Sequence, residues 1–153
     1  MTPEIVWWVM KKQSQVRFST KSFSSSSIYD LVAWMFCTDA YGTDITSVAS
    51  AAAGMNRMKQ EILFYRRAYE DSSQNALWRY MLEYFVRRYS ELAKEKLGTD
   101  LLDPQLAYSI RFYCMGAVGM TQEWVMNDNI TSAETVVRMM FQSMPENVRA
   151  VLL

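Results

Sequence analysis

"YSIRFYCMGAVGMTQEWVMNDN", residues 108–129, is the stretch whose reading decides the fold. Its apolar side chains recur at helical spacing and no proline interrupts it. Yet two glycines, Gly116 and Gly119, sit in its middle. Each costs a helix interior about 1 kcal/mol relative to alanine. They lie three apart, hence on one face, with Ala117 beside them. Three things can offset that cost: a helix of a second chain, a helix of the same chain, or a ligand, each approaching closely on that face.

Outward from this stretch the pattern stays helical. The segment begins near Pro104, a good first-turn residue, and stops at Asn127-Asp128-Asn129. Upstream, Leu77, Met81, Tyr84, Phe85 and Leu92 share a face of a helix over residues 75–97, widened by Trp78, Leu82 and Tyr89. Gly98 suits the left-handed position just past its end. Before it, Val48, Ala52, Met55, Met58, Ile62, Tyr65 and Tyr69 form one stripe, which predicts a single helix over residues 46–69. Ile28, Leu31, Val32, Met35 and Phe36 mark another helix, capped by Ser27. Downstream, "TSAE" at residues 131–134 reads as a capping box. It opens a helix carrying Val136, Val137, Met140 and Phe141, and Pro145 starts a last short one. No strand pattern competes. The expected class is all-α, a bundle of about five to six helices.

Composition narrows the function. The 153 residues suit one domain, with 50% hydrophobic residues and three prolines. Lys plus Arg equals Asp plus Glu at 16 each, so no global charge draws the chain to nucleic acid. Only the first 21 residues are locally basic, through Lys11, Lys12, Arg17 and Lys21. There is no histidine, which removes the usual general base and most zinc sites. Cys37 and Cys114 sit in apolar helical patterns and read as reduced core residues, which implies a cytoplasmic protein. Neither a secretory signal nor an apolar run of about 18 residues is present.

Chemistry-bearing constellations are scarce. Glu61 and Glu123 have no partner at acid–base spacing. Asp39 and Asp44 flank the Tyr41-Gly42 turn as solvated loop acids. No nucleotide, dinucleotide or metal motif occurs, so neither a cofactor nor an enzymatic activity is expected. A ligand pocket is the better candidate. Tyr65, Tyr69, Trp78, Tyr84, Tyr113 and Trp124, with Met55, Met81 and Met120, offer aromatic and flexible walls. Arg111 is placed to receive an acidic ligand group. An ordinary packed core with snorkelling arginines accounts for the same residues, and Arg66, Arg67, Arg87 and Arg88 read as solvated helix faces.

Several ordered segments resemble the TetR/AcrR type of transcriptional regulator. "SIYDLVAWMF", residues 27–36, resembles the first helix after that family's DNA-binding head. "ILFYRRAYEDSSQNALWRYMLEYF", residues 62–85, resembles the middle helices of the regulatory domain in the dihydroxyacetone kinase regulator-like subgroup. "FYCMGAVGMTQEW", residues 112–124, resembles that subgroup's glycine-bearing penultimate helix, and "TSAETVVRMMFQSMP" its final one. The resemblance implies a TetR-like C-terminal bundle that dimerises through its last two main helices. Gly116, Gly119, Met120, Val137, Met140 and Phe141 are then the interface candidates. It also implies a small-molecule effector or a full-length regulator as partner, and no membrane.

The head departs from the pattern. A three-helix head with a helix-turn-helix needs roughly 45 residues, whereas 26 precede the Ser27 helix. Residues 1–26 therefore read as an irregular remnant of a DNA-binding head, and residues 27–153 as the regulatory and dimerisation domain. The expected function is a TetR-type effector-binding and dimerisation domain without autonomous DNA binding. The alternatives are a divergent but complete DNA-binding regulator, or a helical small-molecule or lipid-binding protein.

Overall fold

The computed structural model describes residues 44–70, 76–127 and 130–153. The Ser27 helix, the head remnant, Cys37 and Asp39 lie outside the described residues. Those described form six helices and no strand. They are α1 (Val48–Gln60), α2 (Ile62–Glu70), α3 (Ala76–Leu97), α4 (Pro104–Asn127), α5 (Ala133–Gln142) and α6 (Glu146–Leu152). None of them is long and apolar enough to cross a membrane.

The ends of the helices show why the sequence divides as it does. Ser47 caps α1 by accepting from the Ser50 amide. Just before it, the Asp44 carboxylate accepts from the Thr46 hydroxyl at 2.7 Å and the Thr46 amide at 3.0 Å. These bonds hold its carboxyl below the usual carboxylate range. Asp103 caps α4, its Oδ2 accepting from the amides of Gln105 and Leu106. Gly98 takes the left-handed conformation expected, with φ +64°. Its amide reaches the Glu95 carbonyl and the Thr99 amide that of Lys94, the paired bonds of a Schellman end.

Two local readings shift. The stripe over residues 46–69 is two helices, not one. At Glu61 the backbone turns (φ −113°, ψ 33°) and its amide bonds back to Met58. No glycine or proline marks the break; the two halves part because they have different partners, α5 for α1 and α4 for α2. The cap of α5 moves by one residue. Ser132, not Thr131, accepts from the Thr135 amide. Glu134 is then free of the cap and pairs with Arg138 one turn on.

The core is continuous across all six helices. Met58, Met81, Ile110, Val125 and Val148 are wholly buried. Helix α3 packs chiefly along α4, and α1 along α5, while α4 and α5 make little direct contact. Cationic side chains fasten the joints by donating to carbonyls at helix C-termini, where the dipole favours them. Arg66 reaches the Val125 carbonyl at 2.8 Å, so it is not the solvated residue its charge suggests. Lys96 reaches Leu152, and Arg149 reaches Phe141 and Gln142.

Gly98 gives a direct test. A Cβ added there meets nothing within 4 Å, so the cost of Gly98→Ala is conformational alone. The variant should lose about 1–2 kcal/mol of unfolding free energy in a urea titration. An unchanged midpoint would mean that α3 ends some other way in solution.

Candidate functional site

Because α1–α5 and α3–α4 pack as pairs, a gap remains between them. It forms a partly enclosed cavity of about 50 Å³. Met55 and Ala51 of α1 line one side and Phe85 and Tyr89 of α3 another. Helix α4 contributes Tyr113, Cys114, Ala117, Val118 and Thr121, and α5 contributes Val137, Met140 and Phe141. Ile45, just before α1, closes the end.

The polar groups of this wall are few. The Tyr89 hydroxyl donates to the Ile45 carbonyl at 3.1 Å. Its ring meets that of Tyr113 edge-on at 5.8 Å. Burial pushes the Tyr113 phenol up to about 12. Thr121 donates back to the Ala117 carbonyl at 2.8 Å. Burial likewise pushes the Cys114 thiol up to about 12. None of the described lining side chains carries a charge.

Of the pocket residues expected from sequence, Tyr113 and Met55 lie on this cavity. Tyr65 is buried against Phe64, and Tyr69 donates to the Met81 sulfur. Trp78 packs on the core, and Tyr84 stands edge-on to Phe85 with Arg87 over its ring. Trp124 is buried, its indole N–H donating to the Thr131 carbonyl at 2.9 Å, which ties the end of α4 to the start of α5. Arg111 is exposed and pairs with Glu83 at 3.0 Å, away from the cavity lining. The cavity residues that sequence reasoning missed, among them Ala51, Tyr89 and Thr121, sit on the apolar stripes already recognised. Nothing in the pattern marks them off from core.

The opposite side of α4 is unusual. Tyr108, Phe112, Met115 and Met120 are exposed, Phe112 by 66%. Tyr108 and Phe112 stack nearly parallel. Gly116 lies exposed among them, and Gly119 is partly buried. A Cβ built on either glycine meets nothing within 4 Å. Among the described residues, none packs closely on these glycines. An open groove of about 550 Å³ continues this surface past Met120 and Trp124 to Ile130 and Met139. The other interface candidates divide. Met120 is on this surface, but Val137 is 1% exposed and, with Met140 and Phe141, lines the cavity. The outer face of α5 instead carries Glu134, Thr135, Arg138, Met139 and Gln142.

The family model of the TetR-type transcriptional regulator C-terminal region matches residues 53–146, well over half the chain. The chain belongs to that family. No curated protein and no solved structure matches it significantly. The match spans both surfaces just described, since it begins within α1 and runs through α5. The TetR-type domain thus has a cavity enclosed by α1, α3, α4 and α5, and an apolar outer face on α4.

The cavity wall makes a chemical prediction. With its thiol held near 12, Cys114 should stay protonated and inert at pH 8, because the thiolate is the nucleophile. In a Cys37→Ser background, a disulfide-exchange reagent should label the folded chain slowly at pH 8 and rapidly once urea unfolds it. Fast labelling of the folded chain would place Cys114 at the surface.

Proposed function

We propose that this chain is the effector-binding and dimerisation module of a TetR-type transcriptional regulator. The observation that carries the reading is the outer face of α4, where exposed aromatic and methionine side chains surround two glycines with open space above them. Soluble monomers rarely leave a large apolar patch uncovered. A second copy laid on this face covers Phe112 and Met120, and the missing side chains at Gly116 and Gly119 let its backbone come close. The cavity on the inner side of the same helix is the effector site. This is a binding domain rather than an enzyme, working in the cytoplasm.

Substitutions at the glycines separate the two demands on α4. Within one chain, Gly116→Ala or Gly119→Ala should favour the helix by about 1 kcal/mol. Gly119→Leu should weaken the dimer by roughly 1–3 kcal/mol through overpacking, which is about five- to 150-fold in the dissociation constant. Light scattering should give twice the 17.8 kDa chain mass for the parent chain and a concentration-dependent lower mass for Gly119→Leu, with helicity unchanged. A parent chain that stays monomeric at micromolar concentration would remove the interface.

On DNA, the balance of 16 basic and 16 acidic residues supports non-specific contact alone, through Lys11, Lys12, Arg17 and Lys21. Retention of duplex DNA seen at low salt should vanish near physiological salt. Sequence-selective retention at that salt would favour the complete, divergent regulator instead.

A further inference from the structure

The described helices fall into two bodies with a seam between them. Helix α1 packs chiefly along α5, and α3 along α4, with α2 and α6 docked mainly on that second pair. Direct contact from α1 or α5 to α3 or α4 is sparse. The cavity lies on this seam, with Ala51, Met55 and Val137 on one side and Tyr113, Cys114 and Val118 on the other. Its volume of about 50 Å³ is well below the roughly 150 Å³ of an engineered cavity that takes benzene. It is further still from the roughly 300 Å³ at which ligand pockets start. Anything larger than a few waters reaches the cavity wall only when the seam opens.

The joints between the two bodies set which motion is easiest. Helix α5 is tied to the second body at both ends. The Trp124 indole N–H donates to the Thr131 carbonyl just before its start, and the Arg149 guanidinium donates to the Phe141 and Gln142 carbonyls at its finish. Ties at the two ends of a helix leave it able to roll about its own axis. The C-terminal end of α1 lies beside the first of these ties, with the Lys59 ammonium 5.8 Å from the centroid of the Trp124 ring. There the chain turns at Glu61, whose amide bonds back three residues to Met58. Hinges are a few element-terminal residues that absorb a change in φ and ψ, and Glu61 is such a position. The opposite end of α1 is fastened differently. The Tyr89 hydroxyl donates across the seam to the Ile45 carbonyl at 3.1 Å, and both residues are buried. Ile45 also closes the end of the cavity.

We propose that α1 and α5 form a hinged flap over the cavity. The pair swings as one unit away from α3 and α4, turning at Glu61 and about the tied ends of α5, with the Tyr89–Ile45 hydrogen bond as its latch. The α1–α5 packing is kept through the motion. The seam is what parts, because regions of low contact density open at the lowest free energy. The motion goes beyond the reading of the chain as an effector-binding domain and holds whether or not an effector enters.

Cys114, buried on the seam, reports the opening. The test follows its labelling by a disulfide-exchange reagent at pH 8, in the full chain carrying Cys37→Ser, at urea concentrations below the unfolding transition. A swinging flap exposes little surface, so its opening depends weakly on urea, whereas global unfolding has the full slope. The parent chain should therefore label at a rate that is nearly flat at low urea and steepens only near the transition. Tyr89→Phe keeps the ring and removes the latch. One hydrogen bond is worth about 1 kcal/mol net, so the flat rate should rise about fivefold. Val148→Ala opens a hole in α6, away from the cavity lining, and lowers global stability. It should leave the flat rate within about twofold of the parent's. Hydrogen exchange should show the interior amides of α1 still protected beyond the opening that labels Cys114, because the flap swings as an intact helix. A parent rate with the full urea slope throughout would overturn the proposal without any variant. So would an unchanged flat rate in a Tyr89→Phe chain that circular dichroism shows to be folded, or an equal rise in Val148→Ala. Exchange of the α1 amides as readily as Cys114 is labelled would also overturn it, since α1 then unravels rather than swings.

Discussion

Helix α4 has to satisfy two opposite faces. Its inner face supplies Ile110, Tyr113, Cys114, Val118, Thr121, Trp124 and Val125, all buried. Its outer face keeps Tyr108, Phe112, Met115 and Met120 in solvent. A helix on the surface of a globular protein normally has one apolar stripe, and one that is apolar all round is normally buried. α4 carries large apolar side chains on both faces, yet the described residues cover only one of them. The other elements arrange themselves about this. α3 packs along it, α2 docks near its C-terminal half with Arg66 on the Val125 carbonyl, and α6 meets its side through Asn147 and Ser109. The half left open is where the two glycines lie.

The same helix places the cavity and the open face back to back. Cys114, Ala117, Val118 and Thr121 look onto the cavity, while Gly116, Gly119 and Met120 lie within one turn of them on the other side. α5 repeats this arrangement with Val137 and Met140 inward and Met139 outward. Since α4 and α5 touch each other little, their separation is set by what lies between them. One layer of helix separates the cavity from the open face, so on the proposed reading a ligand that parted Met140 and Phe141 from Ala117 would be felt by a partner resting on both helices, a coupling by differential contact.

How much of this was legible in the sequence follows from the range of each interaction. Helix existence rests on local spacing, and α3, α4, α5 and α6 were readable from it, as was the left-handed Gly98. The break at Glu61 was not. It comes from α1 and α2 choosing different partners, and "MKQEIL" has no residue that forbids a continuous helix. The cap of α5 was misplaced by one because Thr131 and Ser132 are equally good acceptors. Only the path of the chain out of α4, tied by Trp124 to the Thr131 carbonyl, decides between them. Family membership was legible because it rests on the order of several segments.

The site shows the limit most clearly. Aromatic density pointed to Tyr65, Tyr69, Trp78, Tyr84 and Trp124, yet each has an occupation within the bundle. Their rings meet neighbouring rings or core, and the polar atoms of Tyr69 and Trp124 bond inside the protein. A large amphipathic side chain is more easily satisfied by its own fold than left for a ligand. The cavity arises where two helix pairs fail to meet, and small residues such as Ala51 and Ala117 help to shape it. A gap is a property of four helices together, and no single helix's pattern records it. The glycines are the contrary case. Their cost is local and their reward is not, so the sequence alone shows that something outside helix α4 must supply it. The open space above Gly116 and Gly119 shows that none of the six described helices is the neighbour that supplies it. A ligand for these positions has no enclosure on that side of α4. A second helix, by contrast, gains from both missing side chains at once.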